Sequence, residues 1–171
     1  QELIVNGGME GGGIAPSTSS YTPVAGLAIV TSSSSNYAVL SYPQISGAFG
    51  CQTRGAASMV IHGSGGVGQN FWCQTVAVTP NRDYKYEYWV MSVVNFFFTP
   101  VITMKINGNT VSSLSTSGIC SWDDASGIWN SGAATSATIC FSNATSGGQG
   151  NMAAFDDVSF KECCEEKDEV T

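Results

Sequence analysis

Apolar and polar positions alternate one by one through much of this chain, and no useful length shows the three-and-four apolar spacing of an amphipathic helix. Short β-patterned runs recur at residues 2–6, 25–31, 37–42, 57–62, 71–79, 84–94, 100–106, 136–142 and 153–161. Turn-forming clusters such as EGGG, TSSSSN, GSGGVGQN, TPNRD, INGN and TSGGQGN lie between them. The stretch FWCQTVAVTPNRDYKYEYWV is the clearest. Trp72, Gln74, Val76 and Val78 share one face, and after a polar turn Tyr84, Tyr86, Tyr88 and Val90 share another. The pattern predicts a hairpin whose tyrosines face the core, leaving Glu87 and Trp89 on the opposite side.

Many short strands with glycine-rich turns predict an all-β fold, a two-sheet antiparallel β-sandwich over residues 1–161, followed by an acidic, cysteine-containing tail at 162–171. Composition agrees: charged residues are only 11% of 171, hydrophobics 43%, and glycine alone contributes 20 residues. The formal net charge of -7 and the lack of a basic patch argue against a nucleic-acid partner. No apolar run approaches the roughly 20 residues of a membrane-spanning helix. Six cysteines point to an oxidising, extracellular or cell-surface setting, and the start at Gln1 reads as a mature, secreted N-terminus. We pair Cys51 with Cys73 and Cys120 with Cys140. That leaves Cys163 and Cys164 to bond each other, to rearrange those pairs or to cross-link a neighbouring subunit; spacing alone does not fix the connectivity. Asn143-Ala144-Thr145 is the one glycosylation sequon, in what reads as a turn.

The run GNMAAFDDVSF at 150–160 poses a question of charge. It reads as a buried strand, yet Asp156 and Asp157 stand side by side within it. Buried carboxylates are costly unless something pairs with them. Strict alternation sends the two to opposite faces.

Four stretches, ELIVNGGMEGG, FWCQTVAVTPNRDYKYEYWV, VITMKINGNTV and GNMAAFDDVSF, occur in an order that resembles the galactose-binding-like jelly rolls of carbohydrate-binding module families four, nine and twenty-two. The resemblance spans nearly the whole chain and implies a jelly-roll sandwich. It also implies a structural calcium ion where the first and last strands meet. Carried onto this sequence, it places Glu10 beside Asp156, with backbone oxygens near Asn6 or Gly8 completing the shell. Such oxygen ligands suit Ca²⁺. A bound cation would then offset the aspartate burial.

Candidate chemistry is sparse. Once Glu10 and Asp156 are assigned to a metal and Asp83 to a turn, no carboxylate pair stands at a spacing that supports glycoside hydrolysis. CSWDDASGIW reads as a surface loop whose Trp122 and Trp129 pack down. His62, the lone histidine, lies in VIHGSGG without the strand–elbow–helix context of a nucleophilic serine. A non-catalytic binding module is therefore expected. Sugar sites set aromatic faces against pyranose rings beside hydroxyl-bonding polar groups. Trp89 and Glu87 are the leading candidates for a carbohydrate or glycan ligand, with Gln52, Arg54 and His62 joining if neighbouring strands present them. The alternative is a self-assembling or adhesive subunit of an extracellular filament or matrix. Phe96, Phe97 and Phe98 cannot all be buried on one side of a strand, so at least one would reach the surface or a neighbouring copy.

Overall fold

The computed structural model of the chain describes residues 1–63, 68–94, 98–147 and 151–163. Its strands are β1 (Thr22–Pro23), β2 (Asn36–Ser41), β3 (Ala57–His62), β4 (Asn70–Ala77), β5 (Asp83–Ser92), β6 (Val101–Ile106), β7 (Asn109–Ser115), β8 (Asp123–Asn130), β9 (Ser136–Asn143) and β10 (Met152–Glu162). They form two layers, a six-stranded sheet ordered β1-β2-β3-β10-β5-β8 and a four-stranded sheet ordered β4-β9-β6-β7. All the pairings are antiparallel except β1 with β2. The expected all-β sandwich is what the chain forms.

The interface between the layers is aromatic. Phe141 sits 4.6 Å from Phe155 and 4.8 Å from Tyr88, and Phe71 lies 5.0 Å from Phe155, measured between ring centroids. Tyr84, Tyr86, Tyr88 and Val90 are all buried in this core, as their alternation predicts. A second, smaller core covers part of the outer face of the six-stranded sheet. There Ala38, Leu40, Val60, Met91 and Ala154 pack against Ile29 of a 3-10 turn (Gly26–Val30) and Ile45 of a helix α1 (Tyr42–Phe49).

The sequence pattern does not reveal α1, because only Ile45 of its eight residues is buried. Its signal lies instead at its ends, where Ser41 and Gln44 form a capping box, Pro43 sits in the first turn and Gly50 closes it in the left-handed region. Residues 25–31, expected as a strand, hold the 3-10 turn, and the expected first strand at 2–6 is reduced to a bridge between Glu2 and Lys161. The expected hairpin is also corrected. β4 and β5 alternate as predicted, but β4 pairs with β9 while β5 pairs with β10 and β8 in the other sheet. Their connection crosses between the layers, which lets Trp72 and the tyrosines face each other across one core. β7 and β8 were not anticipated as strands. β7 is almost wholly Ser, Thr and Asn, and β8 alternates with no fully buried residue. Trp129 of β8 does pack down, 6.1 Å from Tyr84 and 5.9 Å from Phe160.

That crossing also reassigns the disulfides. Cys73 and Cys140 are register partners on β4 and β9, with Cα atoms 4.2 Å apart. Cys51, which follows α1, joins Cys120 with a Cα separation of 4.9 Å. The pairs Cys51–Cys73 and Cys120–Cys140 are thus overturned, because Cys51 lies outside the six-stranded sheet whereas Cys73 belongs to the other layer. Cys163 carries a free thiol, and Cys164 lies outside the described residues.

Glycine matters sterically where β8 meets the core. A Cβ on Gly127 would stand 2.3 Å from the Tyr86 hydroxyl oxygen, whereas one on Gly118 meets nothing within 4 Å. Gly127→Ala should therefore lose about 1–3 kcal/mol of unfolding free energy by overpacking, and Gly118→Ala should stay within about 0.5 kcal/mol of the parent. Urea titration of the two variants beside the parent checks the contrast.

Candidate functional site

The charged outer face of the six-stranded sheet is organised by an irregularity in β10. Its register on β5 shifts between Asp156 and Ser159, and Asp157 adopts φ 49. One extra residue in a strand reverses which parity faces the core. Ala153 and Phe155 point inward before the bulge, and Val158 and Phe160 point inward after it. Asp157 consequently turns away from the core, and strict alternation fails at the one place where it would have placed a carboxylate inside.

The bulge is held by the N-terminal segment. Val158 N–H donates to the Gly7 carbonyl at 3.1 Å, and a Cβ on Gly7 would lie 2.0 Å from the Val158 carbonyl oxygen. Only glycine permits that approach. Glu2 secures the next residues. Its carboxylate accepts from the Phe160 N–H at 2.8 Å and the Ser159 hydroxyl at 2.6 Å, and lies 3.7 Å from Lys161 Nζ.

Three carboxylates gather behind the bulge. Asp156 is fully buried, accepting from the Ser58 hydroxyl through Oδ2 and from the Asp157 N–H at 2.8 Å through Oδ1. Burial drives its pKa from 3.8 up to about 8; the two hydrogen bonds oppose that rise, and the nearby charges of Asp157 and Glu10 add to it. Glu10 caps a turn, its Oε2 accepting from the Ala56 N–H at 2.6 Å and its Oε1 filling the space where a Cβ on Gly55 would stand. Asp157 pairs with Arg54, Oδ2 to Nε at 2.8 Å. The sequence therefore places Glu10, Gly8, Asp156 and Asp157 in one neighbourhood. Asn6 ties the surrounding loop, donating from Nδ2 to the carbonyls of Gly13 and Ala15 at 2.8 and 3.0 Å. Among the described residues no three Asp, Glu, His or Cys side chains form a metal-binding group. A cation here would have to be held by two carboxylates and main-chain carbonyls.

Beside this cluster lies a surface groove of about 380 Å³. Trp89, Glu87 and Arg54 line it together with Asp157, Ser159 and Lys161. Arg54 bridges cluster and groove, its guanidinium carbon 3.6 Å from the centre of the Trp89 ring. Trp89 Nε1 donates to Glu87 Oε1 at 3.2 Å. Trp89 is thus half-buried with a guanidinium over its ring, rather than an open aromatic platform.

Two of the proposed ligand residues do not join them. His62 is buried at the end of β3, its Nδ1 3.2 Å from the Ser32 hydroxyl. Gln52 is exposed elsewhere, its carbonyl accepting from Trp122 Nε1 at 2.9 Å. Neither lines the groove. Glu2, Ser159 and Lys161 do line it and were missed. Ser159 and Lys161 alternate with core residues Val158 and Phe160, a signal that was readable once the bulge was allowed for.

Other expectations resolve as follows. Phe96 and Phe97 lie outside the described residues. Phe98 is half-buried and packs on Gly147, where a Cβ would meet its ring at 2.8 Å. Asn143 ends β9 instead of lying in a turn; it is fully buried, and its Nδ2 donates to Asn151 Oδ1 at 2.8 Å. The side chain that a glycan would need is therefore occupied within the fold.

The behaviour of Asp156 gives a pH test. Between pH 4 and 8 the folded state binds a proton that the unfolded chain has released, so stability falls as pH rises, by up to about 1.4 kcal/mol per unit. In chelator-treated protein, melting temperature should drop across that window, and Asp156→Asn should flatten the slope. A parent protein with pH-independent melting from 5 to 8 would contradict the assignment.

No family model and no curated protein matches the chain. Solved structures do. The family-61 carbohydrate-binding module determined with β-1,4-galactotriose superposes with TM-score 0.64 at 17% identity, covering 95% of this chain and 99% of that one. The family-22 xylan-binding domain of Paenibacillus barcinonensis xylanase 10C gives TM-score 0.53 at 12% identity over 88% and 95% of the two chains. A Stig cyclase from Fischerella sp. TAU gives TM-score 0.63 at 13% identity over 96% and 98%. The chain shares its β-sandwich fold with these carbohydrate-binding modules and with the cyclase, so the fold by itself does not set a function.

Proposed function

We propose that the protein is a non-catalytic, extracellular carbohydrate-binding module whose ligand lies in the Trp89–Glu87–Arg54 groove. The single observation that carries this reading is the convergence of those three residues, from β5 and the 50–56 loop, in one solvent-open depression. The groove alternates charge sign, with Arg54 and Lys161 among Glu2, Glu87 and Asp157. Such a lining suits a neutral polyol better than an anion. Carboxylates accept from hydroxyl groups, guanidinium and ammonium groups donate to hydroxyl oxygens, and the indole edge offers apolar area for a pyranose face. Two disulfides fit an oxidising, extracellular setting. The sugar-binding neighbours support the class of ligand without naming it.

Retention on immobilised β-1,4-galactan and xylan, with other insoluble polysaccharides alongside, tests the reading. Trp89→Ala and Glu87→Gln should each weaken binding about tenfold or more while leaving the melting curve cooperative. Retention equal to the parent on every polysaccharide the parent binds would remove this groove from the function.

The cluster behind the groove is the proposed site of a structural Ca²⁺. Its donors are all oxygen, and the one cation paired within it is Arg54, set against Glu10, Asp156 and Asp157. Glu10 and Asp156 would hold the ion, with main-chain carbonyls near Asn6 and Gly8. A divalent ion there would supply positive charge to a fully buried carboxylate and join the N-terminal loop to β10. Chelation should lower the melting temperature by roughly 5 °C or more relative to protein at a hundredfold excess of Ca²⁺ over its Kd. An unchanged melting curve, with no metal in the purified protein, would count against the ion without touching the groove.

The second reading, a self-assembling subunit, finds its support in the edges of the other sheet.

A further inference from the structure

The four-stranded sheet carries almost no charge. Lys105 is the one charged residue in its strands, while the six-stranded sheet holds Asp83, Lys85, Glu87, Asp123, Asp124, Asp156, Asp157, Lys161 and Glu162. Charged side chains and prolines are what usually blunt a sheet edge. Both edges of this sheet, β4 and β7, lack them.

The hydrogen-bond parity of each edge follows from its neighbours. Thr18 and Cys73 exchange backbone bonds at 2.8 Å in each direction, so the Cys73 main chain points out of the sheet edge. The Cα separation of 4.2 Å between Cys73 and Cys140 is that of a non-hydrogen-bonded antiparallel pair, which agrees. On the β9 side, Val78 N–H donates to the Thr135 carbonyl at 3.0 Å. By alternation Thr75 and Ala77 direct their N–H and C=O groups outward, and both residues are exposed. These groups open onto a groove of about 680 Å³ whose walls, including Leu3, Val5, Pro16 and Thr138, are uncharged.

β7 mirrors this arrangement. Ala144 N–H donates to the Val101 carbonyl at 2.7 Å, so Val101 and Thr103 turn their main chains toward β9, and Ile102 and Met104 turn theirs toward β7. Thr116 N–H donating to the Pro100 carbonyl at 3.2 Å sets the same parity on β7. Ser113 and Ser115, both exposed, are left pointing outward, while the Val111 carbonyl is capped by the Tyr86 hydroxyl at 3.0 Å. Among the described residues, each edge thus leaves two residues, one apart, without a main-chain partner.

We propose that a second copy of this chain docks head to tail, its β7 segment Ser113–Ser115 pairing antiparallel with Thr75–Ala77. In the order β4-β9-β6-β7 every neighbour is antiparallel, so β7 runs opposite to β4 and a translated copy arrives in the required direction. Neither edge brings a charge to the contact, and on a chain of net charge -7 that is where two copies repel least. The pairing continues the sheet as β-strand addition does, and because the two surfaces differ, the assembly is open-ended.

Sedimentation velocity on the full chain, with Ca²⁺ present, tests this. The weight-average mass should climb above the 17.8 kDa of one chain as concentration rises. Ala77→Pro, or Thr75→Lys where proline impairs folding, should hold the protein at monomer mass. Ser113→Pro, or Ser115→Lys, should do the same. An equimolar mixture of one β4 variant with one β7 variant should recover a species of twice the monomer mass and nothing larger, since one intact edge of each kind remains. A parent that stays monomeric at its solubility limit, a β7 variant that still self-associates, or a mixture that forms no dimer would each overturn the proposal. A failure of assembly leaves the groove reading standing, because a monomer can still be tested for polysaccharide retention on its own, separate face.

Discussion

One backbone irregularity sets the chemistry of this molecule: the bulge at Asp157 and Val158 in β10. A regular strand through FDDVSF would bury Phe155, Asp157 and Ser159 and expose Val158 and Phe160. The inserted residue lets both phenylalanines and Val158 enter the core and returns Asp157, Ser159 and Lys161 to the outer face. The bulge is in turn seated by Gly7 and Glu2, so the first residues of the chain fix the geometry of the last strand. Arg54 then locks onto Asp157 and lies over Trp89. Fold, carboxylate cluster and groove share a single support.

Where the sequence signal was side-chain alternation, the fold was legible. The Tyr84–Tyr88 series and Trp72 face the core as their periodicity assigns. The signal failed where burial did not stamp the pattern. β7 takes its place through backbone pairing to β6, with only Val111 and Leu114 partly buried against the core, and α1 buries one residue and is written in its caps. The hairpin error has a different origin. A tight polar turn between alternating strands says that the chain reverses, but not whether it reverses within a sheet or across to the facing one. The disulfide error follows from it, since pairing depends on which layer each cysteine inhabits.

The candidate site was half legible for a related reason. Trp89 and Glu87 could be found from one strand's parity, and Arg54 joined them through a loop that alternation does not govern. Gln52 and His62 were near in sequence to strands that flank the site, but Gln52 meets Trp122 only through its main-chain carbonyl and faces solvent elsewhere, and His62 is buried against Ser32. Ser159 and Lys161 were hidden only by the assumption of unbroken alternation. The parity change itself is visible in the sequence, because Phe155 and Val158 stand three apart and Val158 and Phe160 two apart. A change of parity within one strand is a readable mark of a bulge, and here it points to the face of the candidate groove.

The two sheets divide the work of the molecule. Charge is concentrated on the six-stranded sheet, where it costs burial energy at Asp156 and yields a groove able to bond hydroxyl groups. The four-stranded sheet carries a single charge, Lys105, and is stitched by Cys73–Cys140, with backbone groups at both edges unpaired among the described residues. These properties are compatible in one particle because they occupy different surfaces. A head-to-tail array built on the four-stranded sheet repeats the charged groove once per subunit along one side of the ribbon. On the proposed function, a row of such grooves meeting a polymeric glycan would convert later contacts into intramolecular ones, with avidity gains of about 10²–10⁴ where the spacings match. The two proposals would then reinforce each other, since repetition of the groove strengthens its hold on a polymer.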